Sequence, residues 1–288
     1  MDILKNIGAM INTAQNVLNS DAAKQVMSAI NQGSGNAGGI DIASGLKAAL
    51  QVGIETAAKN LGAENGYLAD AAVKIGLPKE AVTTFGAVQS LASNPAFNQV
   101  LNATGVSIPS SDTIVTLFNR AAENAAPKSV GTFVDAITGM SIADAKNILF
   151  GEDNAATTYL RDNTYTQLQS TFNPSITDSL NTIKVANFTP VQAWSAFATY
   201  NNKLVELLDS PMVKGALEIA KMTGVLKEEH IASLGSIDLV NGNLSDYITG
   251  KALDGLFLKV SDKEQDIRHN ASSRVSDVLQ SVFGMLDK

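Results

Sequence analysis

The feature that most constrains this chain is the recurrence of apolar side chains every three or four positions. That spacing gathers them on one side of an α-helix but scatters them over both faces of a strand. Ile114, Leu117, Phe118, Ala121 and Ala125 form one such stripe, with Asn119, Arg120, Glu123 and Asn124 assigned to the opposite, polar side. Leu253, Leu256, Phe257, Val260 and Ile267 form a second, and Val275, Val278, Leu279, Val282 and Phe283 a third. Helix-on-helix packing is the simplest way to bury such stripes. Strand-helix alternation is missing, which argues against a doubly wound α/β fold. No period of roughly twenty to fifty residues repeats, which argues against a solenoid. The expected class is all-α, an irregular multi-helix bundle of about ten helices.

Capping and breaking residues divide the stripes. Ser141 and Asp144 read as a helix start, Gly151 as the following stop, and Pro127 as a break. Further starts are expected at Asp153, Asn173-Pro174, Thr189-Pro190 and Ser210-Pro211, and further helices over 79–91 and 95–102. The stretch 64–78 is the least helical. Asn65-Gly66 is a turn signal and Val73 to Pro78 alternates as extended backbone would, so it reads as one short strand or hairpin, or equally as an irregular loop. Before it, residues 1–39 read as an amphipathic helical segment ending in a glycine-rich linker, and 40–288 as the main domain.

Composition removes several chemistries. With 21 Lys+Arg against 28 Asp+Glu there is no excess of cations with which to neutralise phosphates, so nucleic acid is not expected as a partner. The absence of cysteine excludes thiolate nucleophiles and thiolate metal sites. Neither His230 nor His269 lies in a His-Glu-x-x-His helix, and Gly-x-Ser-x-Gly is absent. The string from Gly33 to Gly38 matches a dinucleotide fingerprint, but helical residues rather than a strand precede it, so no cofactor is assigned. Asp262, Asp266 and His269 share a helix face but lie beside Lys263 and Arg268, which makes an ion-pair surface the simpler reading than a metal half-site. The run Asp238, Asn241, Asn243, Asp246 has the wrong spacing for an EF-hand. No uninterrupted apolar run reaches the roughly 20 residues a membrane span needs, and no signal peptide begins at Met1.

No catalytic or metal-ligating set is assembled by these patterns. The ligand-binding candidates are polar residues near helix ends or inside apolar stripes: Asn119, Arg120, Glu123, Asp153, Arg161, Asn201 and Arg268.

Several segments resemble one bacterial family, domain-of-unknown-function family 4197. They are GLKAAL at 45–50, FNRAAE at 118–123, DAKNILFGEDNAAT at 144–157, KALDGLF at 251–257 with Glu264 and Ile267-Arg268, and Val282-Phe283-Gly284. The resemblance implies a helical protein, usually exported and often tethered as a lipoprotein in Gram-negative envelopes, with no established activity. The sequence as it reads from Met1 departs from that pattern in showing neither a leader nor a lipid-bearing cysteine, so export and anchoring are expected from the resemblance alone. The expected address is therefore periplasmic or envelope-associated, with a cytoplasmic one as the alternative.

The leading functional reading is a non-enzymatic module that binds a partner protein or an apolar small molecule among its helices. The alternatives are a hydrolase using Glu123 and Asp153 with Arg120 or Arg161, and a structural protein whose N-terminal helix self-associates or lies on membranes.

Overall fold

In the computed structural model, which describes residues 42–79, 81–82, 85–86, 110–209, 211, 214, 218, 222, 244–274 and 277–287, the stripes become helices in the expected order. They are α1 (Ile42–Gly62), α2 (Ser111–Ala125), α3 (Ser129–Gly139), α4 (Ile142–Leu149), α5 (Ala155–Thr182), α6 (Pro190–Asp209), α7 (Leu244–His269) and α8 (Asp277–Phe283). The fold is all-α, with fewer helices among the described residues than the ten expected. The segments 1–39 and 95–102, most of 79–91, and Ser210 lie outside those residues.

The cap chemistry read from sequence is realised in the backbone. Ser141 and Asp144 form a reciprocal capping box, the Asp144 N–H donating to Ser141 Oγ at 3.1 Å and the Ser141 N–H to Asp144 Oδ2 at 3.0 Å. Thr189 and Gln192 do the same at the start of α6, with distances of 2.9 and 3.2 Å. Pro127 breaks the run between α2 and α3 into a single 3₁₀ turn, Ala126–Lys128.

One expected helix start is corrected. Asn173-Pro174 does not begin a helix, because Pro174 lies inside the continuous α5. A proline there forfeits one backbone hydrogen bond and costs about 3 kcal/mol. Leu168, Phe172, Ile176 and Leu180 are buried on both sides of it, at about 1.5–3 kcal/mol for each large apolar side chain, so packing outweighs the local penalty.

Helix α5 is the spine. It packs most extensively against α7 and also touches α2, α3, α4 and α6, while α1 lies across α3, α7 and α8. Phe133 of α3 meets Phe257 of α7 edge to face at 5.6 Å, and Phe118 of α2 meets Trp194 of α6 at 5.9 Å. No helix among the described residues is long and apolar enough to cross a membrane.

The stretch after α1 is an irregular loop, turns followed by residues 74–78 without regular structure, and no strand forms among the described residues. It is pinned at its first turn. Asn65 adopts φ 68°, and a Cβ on Gly66 would lie 2.3 Å from the Asn60 carbonyl oxygen, so only glycine fits there. A second turn, Ala186-Asn187 with φ 49° and 67°, is closed by an isolated bridge between Val185 and Phe188.

Candidate functional site

Among the described residues, two buried polar assemblies and two surface grooves gather chemistry-bearing side chains. The first assembly corrects the reading of α2. Asn119 and Glu123 are buried rather than on a solvent face, because the 63–78 loop covers the side of the helix that periodicity marked as polar. Asn119 acts toward that loop as a neighbouring strand would: Oδ1 accepts from the Ile75 N–H at 2.9 Å while Nδ2 donates to the Ile75 carbonyl at 2.9 Å. Its Nδ2 also donates to Val115 O at 2.7 Å. Glu123 Oε1 accepts from the N–H groups of Tyr67 and Leu68 at 3.2 and 3.3 Å, and Oε2 accepts from Arg120 Nη1 at 2.5 Å. Arg120 continues to Asn65 Oδ1 at 3.0 Å and Glu64 Oε1 at 3.2 Å.

Tyr67 is fully buried in this assembly, donating to the Ala252 carbonyl at 2.8 Å. Burial and, after it, the Glu123 charge push its phenol far above its ordinary value. It is a fixed donor at any physiological pH. Gly255 makes room for it, since a Cβ there would lie 2.9 Å from the ring and 3.1 Å from Val73 Cβ.

The second assembly centres on Glu264 and Arg268, one turn apart on α7 with side chains only 3 % exposed. Glu264 Oε1 accepts from the Ala156 N–H at 2.9 Å, and Oε2 accepts from the Thr157 N–H and hydroxyl, both at 2.8 Å. It thereby caps the N-terminus of α5, where a negative charge is favoured. Arg268 donates to Ile148 O at 2.7 Å and Leu149 O at 3.0 Å, capping the C-terminus of α4 where a positive charge is favoured. Arg268 Nη2 closes the pair on Glu264 Oε1 at 2.8 Å, and the guanidinium lies 5.8 Å from the Phe283 ring centroid. One ion pair thus ties together both ends of the Phe150–Asn154 corner. Arg274 repeats the device on α7, donating to Ile267 O and Arg268 O while holding Asp287.

The remaining candidates are dispersed. Asp153 Oδ1 lies 2.9 Å from His269 Nε2 on an exposed surface. Arg161 reaches Asp254 at 3.1 Å, with its guanidinium 5.3 Å from the ring centroids of both Tyr165 and Phe257. The side chain of Asn201 lies outside the described residues. The α7 face bearing Asp262 and Asp266 is an ion-pair surface, with Lys259–Asp262 at 3.2 Å and Lys263–Asp266 at 3.0 Å.

That surface edges a groove of about 500 Å³ between α1 and α7, where Lys259 also pairs with Asp70 at 2.7 Å. The Lys259 ammonium holds the Asp70 carboxyl below its usual range, and Asp70 in turn raises Lys259. A second, larger trough of about 840 Å³ runs between the 72–79 stretch, Arg161 of α5 and the Tyr247–Leu258 part of α7. Its walls carry Leu77, Pro78 and the 40 %-exposed Leu258 beside Lys74, Lys79, Arg161 and Lys251.

A family model described as "Protein of unknown function (DUF4197)" matches residues 37–209 and 198–284. The chain belongs to this family. No curated protein and no solved structure matches it significantly. The segments that carried the resemblance to DUF4197 meet in these assemblies: 144–157 with Glu264 and Arg268 form the corner clamp, and 118–123 forms the loop tie. The KALDGLF segment supplies Ala252 to Tyr67, and Lys251, Asp254 and Gly255 to the trough. Glu264 could have been found from its position, since it falls in register with Val260 and Ile267 inside an apolar stripe. A carboxylate there needs a buried partner, and Arg268 is one turn away. Tyr67 and Arg274 carried no comparable signal.

Proposed function

We propose that this DUF4197 protein is a non-enzymatic binding module of the bacterial envelope that takes a small ligand with an apolar part in the trough between the 72–79 stretch, α5 and α7. The carrying observation is a division of labour among polar side chains. Glu264 receives donors from Ala156, Thr157 and Arg268, and Glu123 from Tyr67, Leu68 and Arg120, so both carboxylates are committed to holding backbone in place. Glu123 and Asp153, the pair a hydrolase would need, have separate partners in separate parts of the fold. The trough instead presents exposed apolar side chains and cations, and its volume falls in the range of about 300–1,000 Å³ typical of small-molecule sites.

Native mass spectrometry of the protein purified from its own cells tests this. Wild type is expected to retain a noncovalent mass, and Leu258→Glu, which places a carboxylate in the trough from an already exposed position, is expected to lose it. The same adduct on both proteins, or on neither, would defeat the reading.

A further inference from the structure

We infer that the trough selects a small amphipathic anion, a carboxylate or phosphate head on a short apolar body. This rests on the binding reading above and gives its ligand a charge. The trough brings Lys74, Lys79, Arg161 and Lys251 together with a single carboxylate, Asp254, in a chain whose formal net charge is -7. Its local sign is the reverse of the molecule's. Asp254 is engaged by Arg161, while Lys74 and Lys251 make no ion pair among the described residues. Such cations give an incoming anion a favourable field without requiring it to break a strong pair.

The framework under these charges is fixed in advance. Lys74 precedes Ile75, whose N–H and carbonyl are both held by Asn119. The carbonyl of the next residue, Gly76, accepts from the Tyr247 hydroxyl at 3.0 Å. Gly255 lets Val73 approach α7 closely, which sets the trough's depth, and Arg161 is oriented by two aromatic rings as well as by Asp254. A ligand therefore meets a backbone frame already in place and bears only the cost of ordering the lysine side chains. Leu77, Pro78 and Leu258 supply apolar wall beside that rim, which a bare anion would leave unused.

Calorimetric titration of the full chain with octyl phosphate, octyl glucoside, octyltrimethylammonium and inorganic phosphate separates head from body. Octyl phosphate is expected to bind more tightly than the other three and to weaken as salt is raised. The double substitution Lys74→Glu and Lys251→Glu, both at exposed positions and checked for unchanged helicity, is expected to weaken octyl phosphate by about tenfold or more while sparing octyl glucoside. Flotation with phosphatidylcholine vesicles carrying phosphatidylglycerol, against vesicles without it, would assign the head to a bilayer lipid; octyl phosphate binding without flotation would assign it to a free amphiphile. Equal affinity for octyl glucoside and octyl phosphate, or no effect of the double substitution, overturns the charge inference and leaves the binding reading standing. Inorganic phosphate binding as tightly as octyl phosphate overturns the amphiphile. Failure of every octyl probe overturns both readings.

Discussion

Arg268→Met is expected to lower the unfolding free energy by about 3–5 kcal/mol, the usual cost of leaving one member of a buried ion pair without its partner. The substitution keeps part of the unbranched stem and removes the donors, so the carbonyls of Ile148 and Leu149 lose their cap while Glu264 loses its ion-pair partner in a site only 3 % exposed. Glu264→Gln should cost less. It remains an acceptor for some of its donors, but its amide nitrogen must face either the Thr157 N–H and hydroxyl or the Arg268 guanidinium. Because the two groups share one assembly, the double variant should cost less than the sum of the singles, by about 0.5–3 kcal/mol. Urea titrations followed by circular dichroism read all three. Strict additivity would mean that the pair does not act as a unit.

The second large effect belongs to the loop tie. Asn119→Ala leaves the N–H and the carbonyl of Ile75 without their partners in a buried place, at about 1–3 kcal/mol for each group. It also frees the wall of the trough, since 72–79 is held to α2 through that amide. Loss of stability together with weakened octyl phosphate binding is therefore the expected result. Substitution at Ser141, far along the chain and concerned only with the start of α4, should leave binding as it was. A stable Asn119→Ala protein would show that the 72–79 stretch is held by something other than this side chain.

The helices were legible in the sequence because their information is local. The stripes on α2, α7 and α8, the Ser141–Asp144 box, the Thr189 cap and the Pro127 break each depend on residues within a turn or two of one another. Pro174 was misread for the converse reason, since the burial that overrides its local preference comes from distant helices packed along α5. The polar side of α2 was misread in the same way. Periodicity shows which side chains share a face but not that a loop from before the helix returns to cover it, as Tyr67, Leu68 and Ile75 do.

The candidate residues show the same division. Asn119, Arg120 and Glu123 do converge, on one loop, while Arg268 belongs to a different assembly and Asp153 and Arg161 to two further surfaces. The trough itself was not readable in advance. It joins Lys74, Arg161 and Lys251, residues from three parts of the chain whose meeting depends on the packing of α5 against α7.

Hydrogen-exchange mass spectrometry with and without octyl phosphate separates scaffold from binding surface most directly. Ligand-induced protection should be confined to peptides covering 72–79, the turn around Arg161, and 247–258. The clamp peptides at 148–157 and 264–268 should be slow to exchange in both states. Protection appearing at the clamp and not at the trough would contradict the account, because it would place the ligand on the residues assigned here to holding helix ends together.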